Sequence, residues 1–133
     1  MGYLFDNDVI SAVLRPRPLD AVIQRLASMP RVDQCTSAIT LGELVYGAKR
    51  KGRDDLLKRM QEFTDFVPVL PFDEEAANIF GDIKSTLESN GIPLAEPDLR
   101  IAAIAIATNL TLATGNVRHF ARVPGLTLEN WLG

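Results

Sequence analysis

Tyr3-Leu4-Phe5-Asp6-Asn7-Asp8-Val9-Ile10-Ser11 is the stretch that decides the fold. Three apolar residues stop at an acid, an amide and a second acid, and apolar residues then return at Val9, Ile10, Ala12, Val13 and Leu14. A buried strand running straight into a helix is the opening unit of an α/β domain. The pattern recurs downstream. Gln34 to Ser37 reads as a strand, and Ile39 to Arg50 follows as a helix with Leu41, Leu44, Val45 and Ala48 on one apolar stripe. Leu110 to Ala113 is a further strand, running through Thr114-Gly115-Asn116 into a helical turn at Val117 to Ala121.

Between these units the chain is mostly helical. Leu19 to Met29 has helical spacing and is closed by Pro30, and another helix runs from Gly52 through Leu56, Leu57, Met60 and Phe63. Phe66 to Leu70 reads as a strand that Pro68 restricts to a sheet edge. A long helix follows from Asp73 to about Asn90, ended by Gly91. Asp98 to Asn109 is apolar nearly all round, so this helix must be covered on most sides; Pro97 suits its start. Leu126 to Leu128 is a candidate fifth strand. The expectation is one α/β domain over residues 1–133, with a central, mainly parallel sheet of four to five strands between helices.

The bulk composition narrows the function classes. A chain of 133 residues, 47% of them hydrophobic, can bury a core of ordinary size. It shows neither a membrane span nor a signal peptide, so a cytoplasmic protein is expected. Cys35 is the one cysteine; it sits in a strand and reads as a buried, inert thiol. Fourteen basic against seventeen acidic residues give a net charge of -3, unlike a general nucleic-acid coat protein. The basic residues are unevenly spread. Lys49, Arg50, Lys51 and Arg53, followed by Lys58 and Arg59, fit either a solvated helix face or a rim that contacts phosphate.

In open parallel sheets, chemistry gathers at the carboxyl ends of the strands. Asp6 and Asp98 both belong there, although each taken alone fits helix capping or a favourable helix-dipole contact, as does Asp8. Glu43 shares a helix face with Tyr46, Gly47 and Arg50, opposite the apolar stripe, and periodicity makes it solvated. Glycine on that face costs roughly 1 kcal/mol against alanine, and a close approach by another element would account for it. Asn116 alone reads as a cap or turn residue.

The convergence of these positions on one edge is what points to function. Carboxylates within about 4 Å repel by roughly 4 kcal/mol per pair at an effective dielectric of 20, so a cluster calls for a cation or bound protons. Oxygen ligands favour Mg²⁺ or Mn²⁺, and one histidine far from one cysteine disfavours zinc. His119 reads as an exposed helix residue or a phosphate contact. Hard cations held by carboxylates suit phosphoryl chemistry, and a nuclease fits.

Four strings, YLFDNDVIS (3–11), SAITLGELVYGA (37–48), PDLRIAA (97–103) and TGNVRHFARVPGLTLENW (114–131), resemble the PIN-domain toxins, VapC-like members of type II toxin-antitoxin pairs. The resemblance spans essentially the whole chain in order and spacing. It implies a PIN-like three-layer sandwich, a homodimer or larger assembly with a cognate antitoxin, contact with DNA only through that antitoxin, and Mg²⁺-dependent cleavage of RNA, transfer or ribosomal. It further implies that Asp6 and Asp98 hold the metal and that Glu43 binds it or orients water as general base. Asn116 stands where the wider group often has aspartate. Asp8 and Thr114 would support the same pocket. Two rivals are a phosphatase of the haloacid-dehalogenase class, suggested by two aspartates one residue apart after a strand, and a PIN scaffold that binds antitoxin or RNA without cutting.

Overall fold

The computed structural model describes residues 2–132, and its centre is β1 (Tyr3–Phe5). This strand pairs in parallel with β2 (Gln34–Ser37) on one side and with β4 (Thr111–Thr114) on the other, with Phe5 opposite Thr36 and Ala113. β3 (Val69–Leu70) extends the sheet beyond β2, and β5 (Leu128–Asn130) extends it beyond β4, giving the order β3-β2-β1-β4-β5 with every pairing parallel.

Strand alternation divides the core into two. Leu4, Cys35 and Leu112 face a layer made by α5 (Glu74–Ser89) and α6 (Glu96–Ala107). Phe5, Ala113 and Trp131 face the opposite layer, where α1 (Asn7–Leu14), α2 (Asp20–Ala27), α3 (Ala38–Arg50) and α4 (Asp54–Thr64) pack. The three-layer α/β sandwich is therefore present, and its sheet is wholly parallel rather than mainly so. α6 is buried without a break from Ile101 to Ala105, as its uniform apolarity requires. No described helix is long and apolar enough to cross a membrane.

Element boundaries moved where backbone chemistry competes with side-chain pattern. β3 begins at Val69 rather than Phe66, because Pro68 has no N–H to donate; its carbonyl still accepts from Thr36 N at 3.0 Å. β5 lies two residues later than expected. Gly125 takes a left-handed turn at φ +81°, and the ladder starts only where Thr127 O accepts from Leu112 N at 2.9 Å. α6 starts at Glu96, so Asp98 sits within the first turn and is not the cap. Gly91 ends α5 at φ +70°, with Ile92 N donating back to Leu87 O at 2.8 Å.

Cys35 is buried, its Sγ 3.3 Å from Tyr3 O, and burial pushes the thiol up to about 11, which fits the inert thiol expected. Trp131, just past β5, reaches across the sheet face to β1, its ring 5.4 Å from Tyr3 and 5.2 Å from Phe5. Two cations of the basic run do structural work: Arg53 and Arg59 both bind Asp55, and Arg59 also donates to Leu14 O. Lys49, Arg50, Lys51 and Lys58 remain exposed.

Candidate active site

Asp6 lies at the carboxyl end of β1, where its backbone N–H still bonds to Ala113 O at 3.0 Å. As cap of α1 it accepts from Asn7 N at 2.8 Å through Oδ1. Its other oxygen accepts from the Thr114 hydroxyl at 2.8 Å, and that hydroxyl in turn accepts from Asn116 N at 3.0 Å. Asp6 is only 7% exposed, and burial is the main reason its carboxyl is raised from 3.8 to about 6. The charges of Asp8 and Asp98 push it the same way, while the bonds from Asn7 and Thr114 oppose them. Asp6 therefore caps a helix and also sits among carboxylates.

Asp8 is tied to the same corner, accepting from Gly115 N at 2.8 Å through Oδ2. Its Oδ1 is buried and has no protein partner, and neither has Asn7 Oδ1 beside it. The corner is tight: a Cβ on Gly115 would come within 2.6 Å of Leu132 Cδ1 and 2.8 Å of Asp8 Oδ2. Two bonds, Thr114 to Asp6 and Gly115 to Asp8, thus fasten the end of β4 to the end of β1.

Glu43 reaches this edge through Asn7, whose side-chain amide donates to Glu43 Oε1 at 2.8 Å. Periodicity correctly places Glu43 opposite the apolar stripe. That side faces a cleft beside α1 and α6 instead of open solvent, so Glu43 and Gly47 are half-buried while Tyr46 and Arg50 are exposed. The close approach expected at Gly47 is absent, since a Cβ there would meet nothing within 4 Å. Asp98 projects from the first turn of α6 and pairs with His119 Nε2 at 2.8 Å. His119 is thus a half-buried partner of an acid, its ring edge-on to Phe120, and not the exposed residue expected. Asn116 is exposed at the end of β4 and makes no side-chain cap bond to α7 (Val117–Phe120).

The structure therefore gathers Asp6, Asp8 and Asp98 electrostatically and links Glu43 to Asp6 through one residue. Among the described residues, no three His, Cys, Asp or Glu side chains close around a common point as a ready-made ion cage. Two participants escaped sequence reasoning. Asn7 stands between two acids, and that placement was its signal; His119 had none, because its partner lies 21 positions away.

Comparison with known proteins fits this arrangement. The PIN domain family profile matches residues 3–126. A curated relative, ribonuclease VapC2 of Rickettsia felis, is 31% identical, and the alignment covers 98% of both chains. The chain belongs to the VapC family of PIN-domain ribonucleases. Another relative, the tRNA(fMet)-specific endonuclease VapC of Shigella flexneri, is 30% identical over 98% of both chains. The solved structure of VapBC2 from Rickettsia felis, bound to a DNA fragment from its promoter, superimposes with a TM-score of 0.91. It covers 98% of this chain and 99% of that one at 29% identity. Coverage this complete puts β1, β4 and α6, the carriers of Asp6, Thr114 and Asp98, within the framework shared with VapC.

Proposed function

We propose that this VapC-family chain is a divalent-metal-dependent endoribonuclease toxin, acting in the cytoplasm as one domain over residues 1–133. It hydrolyses phosphodiester bonds in RNA, transfer or ribosomal, and inhibits translation until a cognate antitoxin binds. The observation that carries this reading is Asp6: buried, flanked by Asp8 and Asp98, and linked through Asn7 to Glu43.

The donor set suits a hard cation. It is all oxygen, two buried acceptors, Asp8 Oδ1 and Asn7 Oδ1, have no protein partner, and the carboxylates repel one another. The lack of a three-carboxylate cage is compatible with Mg²⁺ or Mn²⁺, because Mg²⁺ commonly keeps several waters and takes only one or two carboxylates. Asp6 and Asp98 would hold the ion, with Glu43 joining it or facing its water. A cation bound there supplies neutralisation of the scissile phosphate and a more acidic attacking water. Glu43, held by the Asn7 amide, would accept the proton of an attacking water. Thr114 and Asn7 fix the Asp6 carboxylate, His119 fixes Asp98, and Asn116 offers a neutral amide to substrate or water.

Several features bear on partners. The likeness to VapBC2 on promoter DNA supports an antitoxin-bound assembly that reaches DNA through the antitoxin; within it the toxin is proposed to pair as a homodimer. The phosphatase reading is disfavoured, since the chain matches the PIN domain over residues 3–126 and aligns over its length with VapC ribonucleases. The test is to map new 5′ ends across total RNA after brief expression, comparing wild type with Asp98→Asn. Discrete new ends with wild type alone support the proposal. Purified, antitoxin-free protein that binds RNA with Mg²⁺ yet leaves it intact would replace it with the non-cutting scaffold.

A further inference from the structure

Beside the carboxylate edge lies an open cleft of about 610 Å³, lined by Asn7, Gly42, Glu43, Tyr46, Pro97 and Arg100. Two of these residues, Asn7 and Glu43, belong to the site already described, so the cleft continues that site. The outer wall is Tyr46, which is 64% exposed although it is one of the larger apolar side chains of the molecule. Its hydroxyl accepts from the Arg50 guanidinium at 3.4 Å. On the other wall Arg100 is held in place: Glu96 accepts from it at 3.2 Å, and its guanidinium lies 5.9 Å and 5.7 Å from the rings of Phe72 and Phe80. The glycine at 42 leaves open space where a Cβ would meet nothing within 4 Å.

An exposed aromatic ring, two cations and a nearby general base form the combination by which single-stranded nucleic acid is gripped, because bases stack on rings and phosphates pair with guanidinium. We infer that Tyr46 is a substrate-positioning residue: it stacks an unpaired RNA base next to the scissile phosphate, while Arg100 and Arg50 hold the flanking phosphates. This rests on the ribonuclease reading and adds to it the residues that grip the substrate beside the cut; a ring lying against the cleft takes a base only when that base has left its stack. Tyr46 makes no contact with the reacting atoms. Its effect falls on binding.

The test uses a short single-stranded oligoribonucleotide spanning the mapped cut, together with copies in which each nucleotide in turn is made abasic. Tyr46→Ala is expected to raise KM roughly tenfold with kcat nearly unchanged, and Tyr46→Phe to keep the wild-type KM. One abasic position should raise KM to a similar degree in wild type and have no further effect in Tyr46→Ala, as expected when two changes remove the same contact. If the losses from Tyr46→Ala and from every abasic position simply add, the inference is overturned. It is equally overturned if Tyr46→Ala leaves KM unchanged but dissociates the dimer or weakens antitoxin binding, which would make the ring a protein interface. Wild-type protein that cleaves no RNA removes the ribonuclease reading itself.

Discussion

Asn7 donates its side-chain amide to Glu43 Oε1 at 2.8 Å, and its backbone N–H donates to the capping Asp6 Oδ1 at the same distance. One residue therefore sets the spacing between a strand-end acid and a helix acid that are 37 positions apart in sequence. Asn7→Ala keeps the backbone bond and frees Glu43. Its expected result is a cleavage rate lower by about tenfold or more, with a stability loss of only about 1 kcal/mol, read by oligonucleotide cleavage and thermal unfolding. Wild-type activity in this variant would detach Glu43 from the chemistry.

Asp6 predicts an unusual pH dependence of stability. Its folded carboxyl is raised above the unfolded value, so the native state binds the proton more tightly, and the protonated form is favoured on folding. The sign is thus the reverse of a salt-bridged aspartate: this group destabilises the metal-free protein progressively as pH rises from about 4 to about 6. Above that window the ionised form costs about 3 kcal/mol as an upper figure. Denaturant melts of chelator-treated protein should show this loss, and Asp6→Asn should abolish it while stopping cleavage. Added Mg²⁺ should stabilise wild type more than Asp6→Asn.

Asp98→Asn retains an oxygen that can meet His119 and stays in the first turn of α6. The expected outcome is a folded protein with cleavage and growth toxicity lowered by about a hundredfold or more, since the lost charge is the proposed second anchor for the cation. Circular dichroism and cell viability together check this, and full activity would sink the metal assignment. EDTA should likewise stop wild-type cleavage, with Mg²⁺ or Mn²⁺ restoring it.

Gly115→Ala probes the corner itself. The added methyl would collide with Leu132 and with the Asp8 oxygen that the Gly115 N–H holds. A stability loss of roughly 1–3 kcal/mol is expected, with reduced activity. Adding Leu132→Ala relieves only the apolar half of the clash, so unfolding temperature should partly recover while activity does not.

Much of this architecture was legible in the sequence because strand and helix periods are local. Tyr3–Phe5 followed by Asp6, and Leu110–Ala113 followed by Thr114-Gly115-Asn116, announce strands through composition alone, the second within one residue of the observed Thr111–Thr114, and α6 declares its burial through unbroken apolarity. The edges of the sheet were less readable. Pro68 and Gly125 shift where the ladder starts by their backbone chemistry, which no hydrophobic pattern reports. The site was half legible: Asp6 and Asp98 could be placed at the carboxyl edge, but their neighbours could not. Glu43 looked solvated because helical periodicity distinguishes core from non-core and is silent about clefts. His119 and Asn7 acquire their roles from contacts across 21 and 36 positions, which only the closed fold supplies.

The bond from Thr114 to Asp6 joins residues 108 positions apart. During synthesis Asp6 emerges well before Thr114, and it stays unframed until β4 has been made and has paired with β1. A growing chain thus carries no finished centre until β4 is in place. Timing of this kind separates birth from potency and leaves an interval in which a partner can already be waiting.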